Sequence, residues 1–267
     1  MLGSFLVVVL VETGLIENAK NIFDILTYKD QTSWSSLING YINLGKPHLA
    51  FQVYEEKYLD IAMYYSKEHT FVNILKACIK LKDLKTGFQM HVEALRTRLF
   101  FRDPFVGSSL VDMYIKCGSL SIAEEVFEML PVKDVVSWTT LIGGYVEHGH
   151  EEEALKCLEE MEDKGFSPNP ITYVCCMKAC GFIIAVEKGQ KLHIEIVEKG
   201  FLETSVFVGS ALVDMYAKFG FFDVAGQICS DLPIRNVVSW NALISAYAEN
   251  GHSKSAVQCL QSMQLDG

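Results

Sequence analysis

The stretch "VVSWTTLIGGYVEHGHEEEALKCLEEMEDKGFSPN", Val135–Asn169, decides how this chain is read. In its first half Trp138, Leu141, Ile142 and Tyr145 recur at helical spacing and form one apolar face. The polar "EHGH" breaks that pattern, and Gly149 suits a helix C-terminus. Ala154, Leu155, Leu158 and Met161 then mark a second helix, ended by Gly165 and "SPNP". Two such helices cannot bury their apolar faces alone, so the hairpin must stack on neighbours of its own kind.

Those neighbours are present. "VVSW" returns at Val237–Trp240, 102 residues on, and the same offset aligns Phe105–Gly118 with Phe207–Gly220 at 11 of 14 positions. It also sets Thr70–Cys78 on Thr172–Cys180 and His91 on His193. The block is itself composite: Val135–Asn169 has 35 residues, Pro170–Ser205 has 36 and Val206–Asn236 has 31. Run in both directions, the rotation predicts a single array over 1–267, with units at about 1–30, 31–67, 68–103, 104–134, 135–169, 170–205, 206–236 and 237–267. The first and last units are incomplete, and 31–67 is a longer, irregular copy. Ala154 has equivalents at Ala50 and Ala256, small residues where two helices can approach closely. The fold class expected is all-α, an α-solenoid of stacked antiparallel helix hairpins.

Composition agrees with that expectation. Half the residues are apolar and 21% charged, which fits a folded chain and argues against disorder. The net charge of −10 counts against tight, charge-driven binding of nucleic acid but leaves a local groove open. The eight cysteines include no C-x-x-C pair and fall largely in helical patterns, so they read as small buried apolar residues in a reducing compartment. "MLGSFLVVVLVETG" at the start lacks a basic opening and a small-residue cleavage pattern, and its apolar run is too short to span a bilayer.

The rotation of lengths, together with "VVSWNALI", "GSALVDMYAK" and "TYVCCMKAC", resembles the pentatricopeptide repeats of plants, in the subfamily of alternating P, L and S units. Fixed 34-residue tetratricopeptide repeats fit less well, because the unit length changes and their tryptophan–leucine–glycine–tyrosine pattern is missing. The resemblance covers nearly the whole chain. It implies a superhelix like that of tetratricopeptide repeats and sequence-specific binding of single-stranded RNA, one base per unit. It further implies a place in mitochondria or chloroplasts, in transcripts subject to C-to-U editing, with an editing deaminase or other editing factors acting in trans. No cofactor, membrane partner or small-molecule substrate is implied.

In that family the fifth and last residues of a unit read the base. Carried onto this sequence, these are Ser108 with Asp134, Thr139 with Asn169, and Ser210 with Asn236; Asn241 is the fifth residue of the last unit. A hydroxyl with aspartate implies guanine, a hydroxyl with asparagine implies adenine, and Asn241 implies a pyrimidine. Ser4 with Asp30 is a further guanine pair, while Val72 with Asp103 and Val174 with Ser205 receive no base. The Ser35–Lys67 pair of the irregular unit is likewise left without one. The target so implied is 5′-G-N-N-G-A-N-A-Y-3′.

Phe105, Val136, Ile171, Phe207 and Val238 hold the second place of their units, where stacking on a base and packing of the helix start are both open readings. Lys116 and Lys218, late in the first helix of their units, either meet phosphates or are simply solvated. "CCMKAC" lacks the second pair or histidine cluster that zinc needs, so no metal site is expected there. The recurrence of His91 and His193 at a structural period points to packing rather than proton transfer. Deaminases of the family carry H-x-E followed by C-x-x-C zinc ligands; neither motif is expected in this chain, which is therefore not expected to be an enzyme. The acidic runs Glu151–Ala154 and Glu159–Asp163 suit a solvated outer face. The chain reads as a piece of a longer specificity factor. A protein-interaction scaffold and a degenerate relative without function remain the alternatives.

Overall fold

A computed structural model describes residues 2–59, 68–233 and 237–266, and among these every regular element is an α-helix. The chain divides into two compact units, Met1–Lys133 and Asp134–Gly267. In the first, the helices are α1 (Leu2–Glu12), α2 (Ile16–Ile25), α3 (Gln31–Asn43), α4 (Pro47–Leu59), α5 (Glu68–Leu81), α6 (Leu84–Arg96), α7 (Leu99–Arg102), α8 (Pro104–Lys116) and α9 (Leu120–Met129). In the second they are α10 (Val135–Glu147), α11 (Glu151–Asp163), α12 (Pro170–Ile183), α13 (Val186–Glu198), α14 (Phe201–Thr204), α15 (Val206–Lys218), α16 (Phe222–Asp231), α17 (Val237–Glu249) and α18 (Ser253–Asp266).

Side-chain caps explain many of the starts. Asp30, Asp83, Asp103, Asp134 and Asn169 each accept a backbone N–H of the helix that follows, satisfying donors the helix itself leaves unpaired. Asp134 with Ser137, and Asn169 with Thr172, close reciprocal capping boxes. Pro104 and Pro170 hold first-turn places, where a missing N–H costs nothing. The hairpin turn after α10 uses Gly149 at φ 75°, as its pattern predicts. The turns after α5 and α12 instead put Lys82 and Ile184 in the left-handed region, at φ 55° and 54°.

Within the first unit α1, α3, α5 and α8 pack side by side in chain order. Behind them α2, α4 and α6 each touch their own hairpin partner and the next front helix. In the second unit α10, α12, α15 and α17 form the front row, with α11 and α16 bridging in the same way. This arrangement buries what a lone hairpin cannot. Trp34 and Trp138, fourth residues of α3 and α10, are fully buried, and Phe23 meets Trp34 edge-on at 4.6 Å. Removing either indole would cost about 3–5 kcal/mol. Ala50, Ala154 and Ala256 are all buried, as expected of close helix contacts.

One element lay outside the sequence expectation. Each 36-residue hairpin adds a four-residue helix, α7 or α14, entered through a left-handed residue, Arg98 (φ 58°) or Gly200 (φ 66°). Its aromatic residues cover the hairpin behind it: Phe100 stands 5.8 Å from the His91 ring, and Phe201 stands 5.8 Å from Tyr173. Gly189 on α13 allows a close approach to the end of α15, since a Cβ would lie 2.7 Å from the Phe219 ring and 2.9 Å from Met215 Sδ.

Candidate nucleic-acid interface

The front helices α12, α15 and α17 line an open groove of about 720 Å³ in the second unit. Three residues one unit apart, Val174, Ser210 and Asn241, line it together with Phe207 and Val238 from the helix starts. Lys218 also borders it, so six side chains singled out in the sequence share one concave surface.

The second-place residues are exposed. Phe105, Val136, Ile171, Phe207 and Val238 leave between 51% and 76% of their surface in solvent, so none is held by core packing. Flat or branched apolar groups presented this way can stack on bases.

The fifth-place hydroxyls behave differently. Ser108, Thr139 and Ser210 are buried, and each donates to the carbonyl four residues back: Pro104 at 3.1 Å, Val135 at 2.6 Å and Val206 at 3.0 Å. A hydroxyl has one proton, so in this state each oxygen can act only as an acceptor toward any other group. Asn241, by contrast, is exposed on the groove surface.

The last residue of each unit doubles as the cap of the next helix, which fixes its polarity. Asp134 Oδ1 accepts from the Ser137 N–H at 2.8 Å, while its other oxygen has no partner among the described residues. Asn169 Oδ1 accepts from the N–H groups of Ile171 (2.9 Å) and Thr172 (3.0 Å), and its Nδ2 donates to Thr139 Oγ1 at 3.4 Å. Thr139 and Asn169 are therefore in direct contact. Asp30 Oδ1 accepts from the Ser33 N–H and from the Thr32 hydroxyl, both at 2.9 Å, while the Ser33 hydroxyl donates to the Asp30 backbone carbonyl at 2.9 Å. Burial pushes its carboxyl up, but those hydrogen bonds outweigh it and leave the group more acidic than usual. Ser108 belongs to the first compact unit and Asp134 opens the second. Asn236 and Lys67 lie outside the described residues.

The cations differ too. Lys218 Nζ is paired with Asp214 at 2.9 Å and lies 4.3 Å from the Phe182 ring centroid. Lys116 is half-buried, and its backbone carbonyl accepts from Lys82 Nζ. Lys178, which was not singled out in the sequence, is exposed in the groove with no ion pair among the described residues. Its equivalent Lys76, 102 residues earlier, was the available signal.

The histidines pack. His91 Nδ1 lies 3.1 Å from Tyr114 Oη and His193 Nδ1 lies 3.0 Å from Tyr216 Oη. His91-Val92-Glu93 and His193-Ile194-Glu195 do read H-x-E, yet no group of three or more metal-binding side chains occurs among the described residues. All eight cysteines are free thiols; burial raises Cys78 to about 12 and pushes Cys176 well above the usual range, keeping both protonated. No described helix is long and apolar enough to cross a membrane.

A PPR repeat family model matches residues 133–181, and a PPR repeat model matches 32–56, 108–135 and 238–267. A chloroplastic pentatricopeptide repeat-containing protein of Arabidopsis thaliana is 34% identical across 99% of this chain and 42% of its own length. The chain belongs to the pentatricopeptide-repeat family. A mitochondrial pentatricopeptide repeat-containing protein of the same plant is 33% identical across 99% of this chain and 25% of its own. The chain thus spans less than half of either relative. Among solved structures, the pentatricopeptide repeat protein PPR10 in complex with an 18-nt psaJ RNA element superposes with a TM-score of 0.78. That match has 17% identity and covers 99% of this chain and 40% of that one. A crystal structure of PPR10 from maize superposes at 0.65 with 22% identity, over 99% and 39%. The α-solenoid class of the pentatricopeptide-repeat fold is therefore the fold of this chain.

Proposed function

We propose that this pentatricopeptide-repeat array binds single-stranded RNA sequence-specifically in a chloroplast or mitochondrion, one base per unit. The observation that carries the reading is the groove on α12, α15 and α17, where polar fifth-place residues alternate with exposed apolar second-place residues. Bases stacked on Phe207 and Val238 would present their edges to Ser210 and Asn241. The relatives named chloroplastic and mitochondrial support the compartment, and PPR10 crystallised with RNA supports the ligand class. The array is a binding scaffold rather than an enzyme. Unit lengths rotating through 35, 36 and 31 fit the P, L and S subfamily, and with it a role in choosing sites for C-to-U editing, the deaminase acting in trans.

Base reading is assigned to Ser108, Asp134, Thr139, Asn169, Ser210, Asn236 and Asn241, and stacking to Phe105, Val136, Ile171, Phe207 and Val238. The acidic balance is tolerable because Glu152, Glu153, Glu159 and Glu160 are exposed on α11, a back-row helix. The test is titration with 5′-GNNGANAY-3′ RNA and with the same oligomer carrying guanine and adenine exchanged at the fourth and fifth places. The exchange should weaken binding by roughly tenfold or more at fixed salt. Equal affinity for both would refute the base assignment, and capture of peptide instead of RNA would mark the array as a protein scaffold.

A further inference from the structure

Thr172 is fully buried, yet its hydroxyl sits at the centre of a closed set of polar contacts. It accepts from the Asn169 backbone N–H at 3.2 Å and lies 2.7 Å from Thr139 Oγ1 on the neighbouring front helix. Thr139 donates its one proton to the Val135 carbonyl at 2.6 Å; the Thr172 hydroxyl reaches both Thr139 Oγ1 at 2.7 Å and Asn169 Oδ1 at 3.2 Å, and its proton goes to the shorter contact. The Thr139 oxygen then accepts from Thr172 and from Asn169 Nδ2, and both of its lone pairs are used. On the other side, two backbone N–H groups hold Asn169 Oδ1 against the start of α12. An amide turned the other way would set its NH2 against those same donors. One N–H of Asn169 is all that is left to face outward.

We propose that Thr172 is a specificity-determining positioning residue for the 135–169 unit. With Thr139 it holds the Asn169 amide so that a base meets a single N–H donor and no acceptor. Adenine, whose Watson–Crick edge offers the N1 acceptor, matches that donor; guanine could meet it only through O6, which leaves its N1–H and N2–H2 without an acceptor on the amide. The inference rests on the RNA-binding reading and deepens it.

The experiment compares adenine with guanine at the fifth place of the RNA, and separately at the seventh, for the wild-type chain, Thr172→Val and Thr172→Ser. Wild type should prefer adenine at both places. Thr172→Val should reduce the fifth-place preference by roughly tenfold, the scale of one well-made side-chain contact to a base. The seventh-place preference should be retained, and Thr172→Ser should restore the fifth. An unchanged fifth-place ratio, or an equal fall at both places, overturns the proposal while leaving RNA binding intact. Failure of the wild-type chain to bind either RNA overturns the RNA reading and this inference together. Should Thr172→Val prove unfolded by circular dichroism, Thr139→Val breaks the same contacts from the opposing helix and must give the same loss at the fifth place.

Discussion

His193 Nδ1 rests 3.0 Å from the Tyr216 hydroxyl, and the same pairing recurs 102 residues earlier between His91 and Tyr114 at 3.1 Å. In each case the imidazole links the outer helix of a 36-residue hairpin to the front helix of the next. Burial lowers the pKa of both histidines below the usual 6.5, so the folded chain holds them neutral. Below about pH 6.5 the unfolded chain takes up protons that the folded chain refuses, so stability falls as pH drops from there. Thermal melts between pH 7.5 and 5.5 should show a declining midpoint. The decline should be shallower in His91→Gln, whose amide keeps a hydrogen-bonding group without titrating.

Left-handed backbone at a β-branched residue is strained, and Ile184 is such a residue, 60% exposed at φ 54°. Relief of that strain outweighs the extra chain entropy of glycine, so Ile184→Gly should stabilise by about 0.5–1 kcal/mol. Arg98→Gly, which installs the residue found at the equivalent position 200, should act in the same direction. Urea unfolding with an unchanged m-value is the check.

The opposite outcome is expected at Gly189. A methyl there meets the rigid ring of Phe219 as well as Met215 Sδ, so Gly189→Ala should destabilise by about 1–3 kcal/mol despite its better helix propensity. A rise in melting temperature would contradict the close approach.

Asn169 separates stability from recognition. Asn169→Asp keeps a good cap and should leave the melting temperature nearly unchanged, while the fifth-place preference moves from adenine to guanine. Asn169→Ala should cost about 1 kcal/mol of stability and abolish the preference. Melting curves and competition between the two RNAs distinguish the variants.

Lysines in the groove should differ in their salt response. Lys178 has no ion pair among the described residues, whereas Lys218 is already neutralised by Asp214. Lys178→Ala should reduce the slope of log affinity against log salt by about 1, and Lys218→Ala by less.

The helical hairpins were legible because each element repeats its apolar spacing and the 102-residue offset shows several of them twice. Trp138, Leu141 and Ile142 are buried as that spacing requires. The short helices α7 and α14 were not legible, since four residues carry no periodicity, and neither was Ile184 in a place where glycine is the norm. Side-chain identity placed Phe207, Ser210 and Asn241 in one pattern, but only three-dimensional geometry puts the first in solvent and the second against a carbonyl. The link from Thr172 to Thr139 crosses 33 residues, and no local rule announces it. The Asp-x-x-Ser and Asn-x-x-Thr spacings at 134–137 and 169–172 were a readable signal for caps.

Because Asp134 and Asn169 each cap the start of a helix, the base-reading role proposed for them would be bounded by helix chemistry. Asparagine, aspartate, serine and threonine all start helices well, whereas alanine, valine and leucine do not. A point change within the first group can redirect such an array to a new transcript with little loss of folding. A change outside it weakens the scaffold at the moment it alters the message. Drift between RNA targets is thus channelled into a few exchanges, a property that would let arrays of this kind diversify without first acquiring spare stability.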